Sequence, residues 1–98
     1  MRHAPDPAQL DRLFFALSDA SRRSMLEQLS VAPCSVTALV EPLGIAMPSV
    51  VKHLAVLESG GLVQSEKAGR VRTYRISPNA FAAMERWLAL HKSQVNAQ

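Results

Sequence analysis

The stretch Leu43 to Val63, LGIAMPSVVKHLAVLESGGLV, constrains the fold of this chain more than any other. Val50, Leu54 and Leu57 recur at i, i+4 and i+7, the spacing that lines one face of a helix. Pro48 suits a first helical turn, and Gly60-Gly61 stops the helix before a β-favouring run. Pro48, Ser49, Val51, Lys52 and Ala55 fall round the outer side. A three-turn helix with one apolar stripe does not fold alone. The remaining elements must cover that stripe and leave the outer side presented.

With 98 residues the chain is long enough for one small domain and too short for two. The expected organisation is a single domain over residues 1–98, with residues 1–6 a loose leader and residues 93–98 a frayed tail. Apolar residues at 48% against 19% charged indicate a chain that builds a core. The core of so small a domain is thin, so burial of further surface in a homodimer would help it. A net charge of +3 permits a polyanionic partner without requiring one. Cys34 is the single cysteine, which excludes an intrachain disulfide and points to a reducing compartment. The first residues lack the apolar run of a secretion signal, and no run reaches the length of a membrane span. A cytoplasmic protein with no membrane partner is expected.

Taken in order, Asp6 caps a first helix with Pro7 in its first turn, and Leu10, Leu13, Phe14 and Leu17 form its stripe. Phe15 lies off that stripe. It either widens the core face or marks a second buried surface. Ser18-Asp19 breaks this helix and caps the next, whose inner face is Met25, Leu26 and Leu29. Arg22 and Arg23 are placed on its outer side, where a surface ion pair is the default role. Residues 30–34 form a connector. Ser35 caps a short helix carrying Val36, Leu39, Val40 and Leu43, which Gly44 ends in a left-handed conformation. Two helices joined by a short glycine-containing turn form helix-turn-helix grammar.

Residues 62–67 and 71–76 flank Ala68-Gly69-Arg70 and read as a hairpin. Lys67, Arg70, Arg72 and Arg75 gather most of the positive surplus there, against Glu66. Ser77 then caps a last helix with Pro78 at its first position. Phe81, Met84, Leu88 and His91 line one face of this helix, and Ala83, Trp87 and Leu90 a neighbouring one. So wide an apolar arc implies burial on two sides, against the domain and against a partner. The expected fold class is therefore mainly α with a small β-hairpin: a winged helix-turn-helix of about five helices and a two-stranded wing.

Several motifs in this order also carry a family resemblance: LSDASRR at the start of the second helix, VVKHLAVLESGGLV in the opening stretch, and GRVRTYRI in the hairpin. Together they resemble the arsenical-resistance-type (ArsR/SmtB) bacterial transcriptional regulators over residues 10–91. The resemblance implies a homodimer formed by the first and last helices. Carried onto this chain, the dimer interface comprises Leu10, Phe14, Phe15, Phe81, Met84, Trp87 and Leu88. It also implies a recognition helix at Met47–Ser59, a wing at Leu62–Ile76, and repression relieved by an effector, which the sequence does not name. Metal-sensing relatives carry a Cys-x-Cys pair at the start of the short helix, where this chain has Ser35 and Thr37. Cys34 is one residue off and supplies one thiolate, whereas a soft metal needs two to four converging ligands. Along the last helix only Glu85 and His91 stand as ligands, six apart and on different faces, with His3 of a second subunit a weak third. No metal sensing through either of these sites, and no cofactor, is therefore expected of this chain.

The expected partner is double-stranded DNA, contacted by Pro48, Ser49, Val51, Lys52 and His53 of the recognition helix and by Arg70 and Arg72 of the wing. Lys52 suits a phosphate or a guanine, and Arg70 at the hairpin tip suits a phosphate or the minor groove. For His53 the rival role is a structural hydrogen bond to the wing or the second helix. Arg72 shares strand parity with Tyr74 and Ile76, so packing along the sheet competes with a DNA contact. The leading function is a sequence-specific transcriptional regulator, a repressor acting as a homodimer on a pseudo-palindrome. The alternative is a winged-helix protein-interaction module, which the apolar outer residues Pro48, Val51, Ala55 and Val56 favour. No Gly-rich phosphate loop, paired carboxylates or Cys-His neighbourhood marks an enzyme. Redox sensing at Cys34 is the minority reading, beside that of a small half-buried residue.

Overall fold

The first helix, α1 (Pro7–Leu17), begins where Asp6 accepts a hydrogen bond from the Ala8 N–H at 3.2 Å. A computed structural model describes residues 5–98; of the expected leader, residues 1–4 lie outside them, while Pro5 is buried. Helix α2 (Ala20–Val31) follows, capped by the Asp19 carboxylate, which accepts from the Arg22 N–H at 3.0 Å. A short strand β1 (Cys34–Ser35) leads into α3 (Val36–Leu43), which Ser35 caps and Gly44 ends at φ 66°. Helix α4 (Met47–Ser59) then leads into strands β2 (Val63–Ala68) and β3 (Val71–Ile76), and α5 (Ala82–Asn96) closes the chain.

The core is one cluster. Val50, Leu54 and Leu57 of α4 are fully buried among Leu10, Leu13 and Ala16 of α1, Met25, Leu26 and Leu29 of α2, and Leu39 of α3. Leu62, Val63 and Tyr74 extend this cluster under the base of the hairpin. The stripe that organises the sequence thus organises the core. No single described helix is long and apolar enough to cross a membrane.

Three expectations are corrected. The wing is part of a three-stranded antiparallel sheet of order β1-β3-β2, because Cys34 and Ser35 pair with Tyr74 and Thr73. Two residues carry too little pattern to be read as a strand. The last helix begins at Ala82 rather than at Pro78. Residues 77–81 form turns instead, with Ala80 N–H donating to Ser77 O at 3.1 Å and Asn79 left-handed at φ 57°. Asparagine tolerates that region, and its presence there diverts the Ser-Pro start into a turn. Finally, α5 continues to Asn96, through residues expected to fray.

Gly60 lies where α4 ends against α1. A Cβ built on it would lie 3.0 Å from the Arg12 carbonyl oxygen and 3.1 Å from the Ala16 Cβ. Both neighbours belong to a packed helix and cannot yield separately. Gly60→Ala is therefore expected to destabilise the fold by about 1–2 kcal/mol through overpacking, read as a lowered midpoint in urea. An unchanged midpoint would show that α1 and α4 are not tightly seated.

Candidate nucleic-acid interface

The elements above hold α4 by its inner stripe and leave its outer side in solvent. Pro48, Ser49, Val51, Lys52 and Ala55 are all exposed, as the periodicity predicts. The N-cap residue Ala46 offers no side-chain cap, but Pro48 brings no N–H to the first turn of α4 and the Ser49 N–H donates to Ala46 O at 3.0 Å. Among the described residues Lys52 has no carboxylate within ion-pair distance.

His53 is different. It is half-buried, and its Nδ1 lies 3.4 Å from Arg22 Nη1 and 4.0 Å from Asp19 Oδ2. The guanidinium and the Asp19 carboxylate both lie on the Nδ1 side of the ring. His53 therefore faces α2, which is the structural role weighed for it from sequence.

Arg22 is the residue that sequence reasoning misplaced. Only 7% of its surface is exposed. Its Nε donates to Ala16 O at 2.7 Å and its Nη2 to Phe15 O at 2.8 Å, with the guanidinium carbon 5.0 Å from the Phe15 ring centroid. Arg23 Nη1 donates to Leu17 O at 2.6 Å. Two consecutive arginines thus satisfy the last three carbonyls of α1, at the negative end of its dipole. A surface ion pair was the default expectation for both, and Arg22 makes none with a carboxylate. The legible signal was a helix break followed within four residues by Arg-Arg, since the carbonyls at that break need donors.

The hairpin register places Lys67 directly opposite Arg72 and Ala68 opposite Val71, with Gly69-Arg70 as the tip. Lys67 and Arg72 share a strand face with Val63 and Tyr74. That face is apolar at its base and becomes cationic beyond the core. Arg72 Nη1 donates to Ser65 Oγ at 2.8 Å, which orients it along the sheet. Arg75 pairs with Glu66 at 3.7 Å, so the one acid of the hairpin is taken. Arg70 is exposed and has no ion-pair partner among the described residues.

The α1/α5 side carries the expected dimer residues. Phe14, Phe15, Phe81, Trp87 and Leu88 are exposed, Phe15 by 61% and Leu88 by 50%, and Met84 is half-buried. Phe14 and Trp87 meet edge to face at 6.0 Å between centroids, joining α1 to α5. Leu10 is the correction. At 8% exposure its side chain is spent in the protomer's own core. It lies on the same stripe as Leu13, which turns it inward.

The Ser35 and Thr37 hydroxyls, at the positions where the resemblance would place a cysteine pair, lie 3.1 Å apart. Burial pushes the Cys34 thiol above its ordinary pKa, which disfavours the reactive thiolate. Among the described residues no three His, Cys, Asp or Glu side chains converge as a metal site. His91 stacks on Trp87 at 4.3 Å between centroids, and His3 lies outside the described residues.

Comparison with known proteins gives consistent matches. A helix-turn-helix domain family matches residues 17–66. The HTH-type transcriptional regulator Rv2034 of Mycobacterium tuberculosis is 38% identical over 74 residues, covering 76% of this chain and 69% of that regulator. The regulator NmtR of the same organism is 38% identical over 69 residues, covering 70% of this chain and 58% of its own. Among solved structures, an ArsR family transcriptional regulator superposes with a TM-score of 0.90 at 40% identity, covering 98% of this chain and 99% of that one. The homodimeric winged helix-turn-helix DNA-binding domain of Mb0332 from Mycobacterium bovis superposes with a TM-score of 0.72 at 28% identity, covering 91% and 80%.

Two outcomes are expected from this geometry. Arg22→Met leaves the Ala16 carbonyl without its donor and is expected to cost about 2–3 kcal/mol, measured by chemical denaturation. A loss within experimental error would mean that the α1 terminus finds other donors. The second concerns Asp19, whose hydrogen bond from the Arg22 N–H, followed by the charges of His53 and Arg22, holds its carboxyl below the usual range. A depressed pKa stabilises the fold above the ordinary carboxylate range, and that contribution fades as pH falls through the folded value. Asp19→Asn should therefore lower Tm at pH 7, with the gap closing in acid. A gap independent of pH would remove the carboxylate's charge from the account.

Proposed function

Because the chain belongs to the ArsR family of winged helix-turn-helix DNA-binding transcriptional regulators, we propose that it acts as a homodimeric repressor on a pseudo-palindromic duplex operator. The observation that carries this reading is the wing. Lys67 and Arg72 face each other across the strands, and Arg70 stands at the tip, with the hairpin's one acid engaged by Arg75. Like charges directly opposed weaken a hairpin. Backbone phosphates would relieve that repulsion and release counterions. The arrangement calls for a polyanionic partner, and in a helix-turn-helix chain it supports DNA over the interaction-module alternative.

Dimerisation supplies the symmetry. The exposed aromatic and aliphatic side chains of α1 and α5 are more than a small monomer of this size gains by leaving in water. A two-fold partner on that face would present two copies of α4 about 34 Å apart, one turn of duplex. The homodimeric state of the Mb0332 domain supports this arrangement. Two relatives named as transcriptional repressors, SmtB of M. tuberculosis at 31% identity and SdpR of Bacillus subtilis at 23%, support repression as the outcome. Pro48, Ser49, Val51 and Lys52 enter the major groove, Arg70 and Arg72 contact the backbone, and His53 braces the helix from behind.

The test is a titration of the fragment upstream of the protein's own gene, followed by fluorescence polarisation across salt concentrations. Log affinity should fall linearly with log salt, and Arg70→Ala should reduce the slope by about one unit while weakening all duplexes alike. Leu88→Glu should yield a folded monomer by sedimentation, with operator affinity reduced at least tenfold. A folded dimer that fails to bind at low salt would overturn the proposal, as would a monomer that binds as tightly as the parent.

A further inference from the structure

The outer side of α4 poses a question of chemistry. Met47 is 44% exposed and Val51 49%, and Pro48 and Ala55 beside them are exposed as well. Met47, Val51 and Ala55 are spaced i, i+4, i+8, a stripe that runs along the solvent side of the helix. In the first three turns the polar groups on that side are Lys52 and Ser49 alone. His53, the other candidate reader, is turned onto Arg22 and Asp19, 3.4 and 4.0 Å away. The side of the helix that would face base edges therefore has few hydrogen-bonding groups and a contiguous apolar stripe.

In a major groove the base edges present one apolar group, the C5-methyl of thymine. Resting on the DNA-binding reading above, we infer that this helix reads its operator through thymine methyls, with Val51 and Met47 as the contacting side chains and Pro48 beside them. The occupant follows from charge as well as from shape. Lys52 adjoins the stripe, and the wing that follows α4 carries Lys67, Arg70 and Arg72, which have no acidic partner among the described residues. An apolar strip accompanied by cations suits a methyl-lined groove between two phosphate backbones. The spacing adds a constraint. Residues i and i+4 are separated by about 6 Å along a helix, close to two base steps. Each half-site should thus present thymine methyls about two base pairs apart. Sequence preference then arises from methyl burial, and Lys52 adds affinity with one further point of discrimination.

The experiment compares wild-type protein on its operator fragment, first recovered by selection from random duplexes, with the same fragment carrying deoxyuridine for thymine in both half-sites. Deoxyuridine keeps the base pairing and every hydrogen-bonding group and deletes the methyl alone. Affinity is expected to fall about fourfold for each methyl buried, at unchanged salt slope. Val51→Ala should bind the thymine duplex more weakly and lose most of the difference between the two duplexes. Lys52→Ala should weaken both and keep the difference. Equal affinity of the wild-type dimer for the thymine and deoxyuridine operators overturns the inference and leaves the DNA-binding reading intact. Absence of binding to any duplex at low salt overturns both.

Discussion

The buried guanidinium of Arg22 is the interaction on which the arrangement of this domain depends. Helix α1 ends against α2, with Ala16 buried, and a helix end leaves carbonyls that must find donors. Arg22 supplies Nε to Ala16 O and Nη2 to Phe15 O, and Arg23 supplies Leu17 O. The Ser18 hydroxyl adds a bond to Phe15 O at 2.6 Å. A buried cation without partners would be costly. Here the partners are backbone dipoles pointing at it, with the Phe15 ring close to the guanidinium. This fixes the angle between α1 and α2, and through His53 the same side chain reaches α4. One guanidinium thus connects the helix that bears the aromatic face to α4.

What could be read from the sequence divides along a physical line. Elements whose ends are dictated by local chemistry were legible. Pro48 and Gly60 bound α4, Ser35 and Gly44 bound α3, and Gly69 at φ 61° turns the hairpin. The inner stripe Val50, Leu54 and Leu57 was legible because periodicity and burial coincide there. What escaped depends on partners distant in sequence. Arg22 reads as a solvated charge until the carbonyls of α1 are set beside it. Strand β1 exists only because Tyr74 and Thr73 offer it an edge. The start of α5 was misplaced because Ser77-Pro78 has the composition of a cap, while the conformation of Asn79 decides otherwise.

The same division applies to the site. Exposure of Pro48, Ser49, Val51 and Lys52 followed from the helical wheel. The position of His53 did not, since the wheel puts it on the flank, where an outward and an inward rotamer are both open. Leu10 and Phe14 belong to one stripe, yet one is enclosed and the other exposed. No property of either residue type separates them; Leu10 joins the core cluster, while Phe14 meets Trp87 of α5 and stays exposed.

Three surfaces of the protomer are left uncompensated, and each is uncompensated in a different chemical sense. On α1 and α5, aromatic and aliphatic groups meet water, a cost that a like surface removes best, because an identical patch is itself apolar. On the wing, Lys67 opposes Arg72, a repulsion that an anion removes and a second copy of the chain would worsen. On α4, an apolar strip lies in water beside Lys52 and Ser49, and a phosphate does not satisfy it. In the proposed complex a duplex bound by a two-fold dimer would answer all three together: protein against protein at the aromatic face, phosphate against the wing, and base methyls against α4. The fold contributes by keeping these surfaces apart. The Arg22 connection holds α1, and the Phe14–Trp87 contact holds α5 to α1.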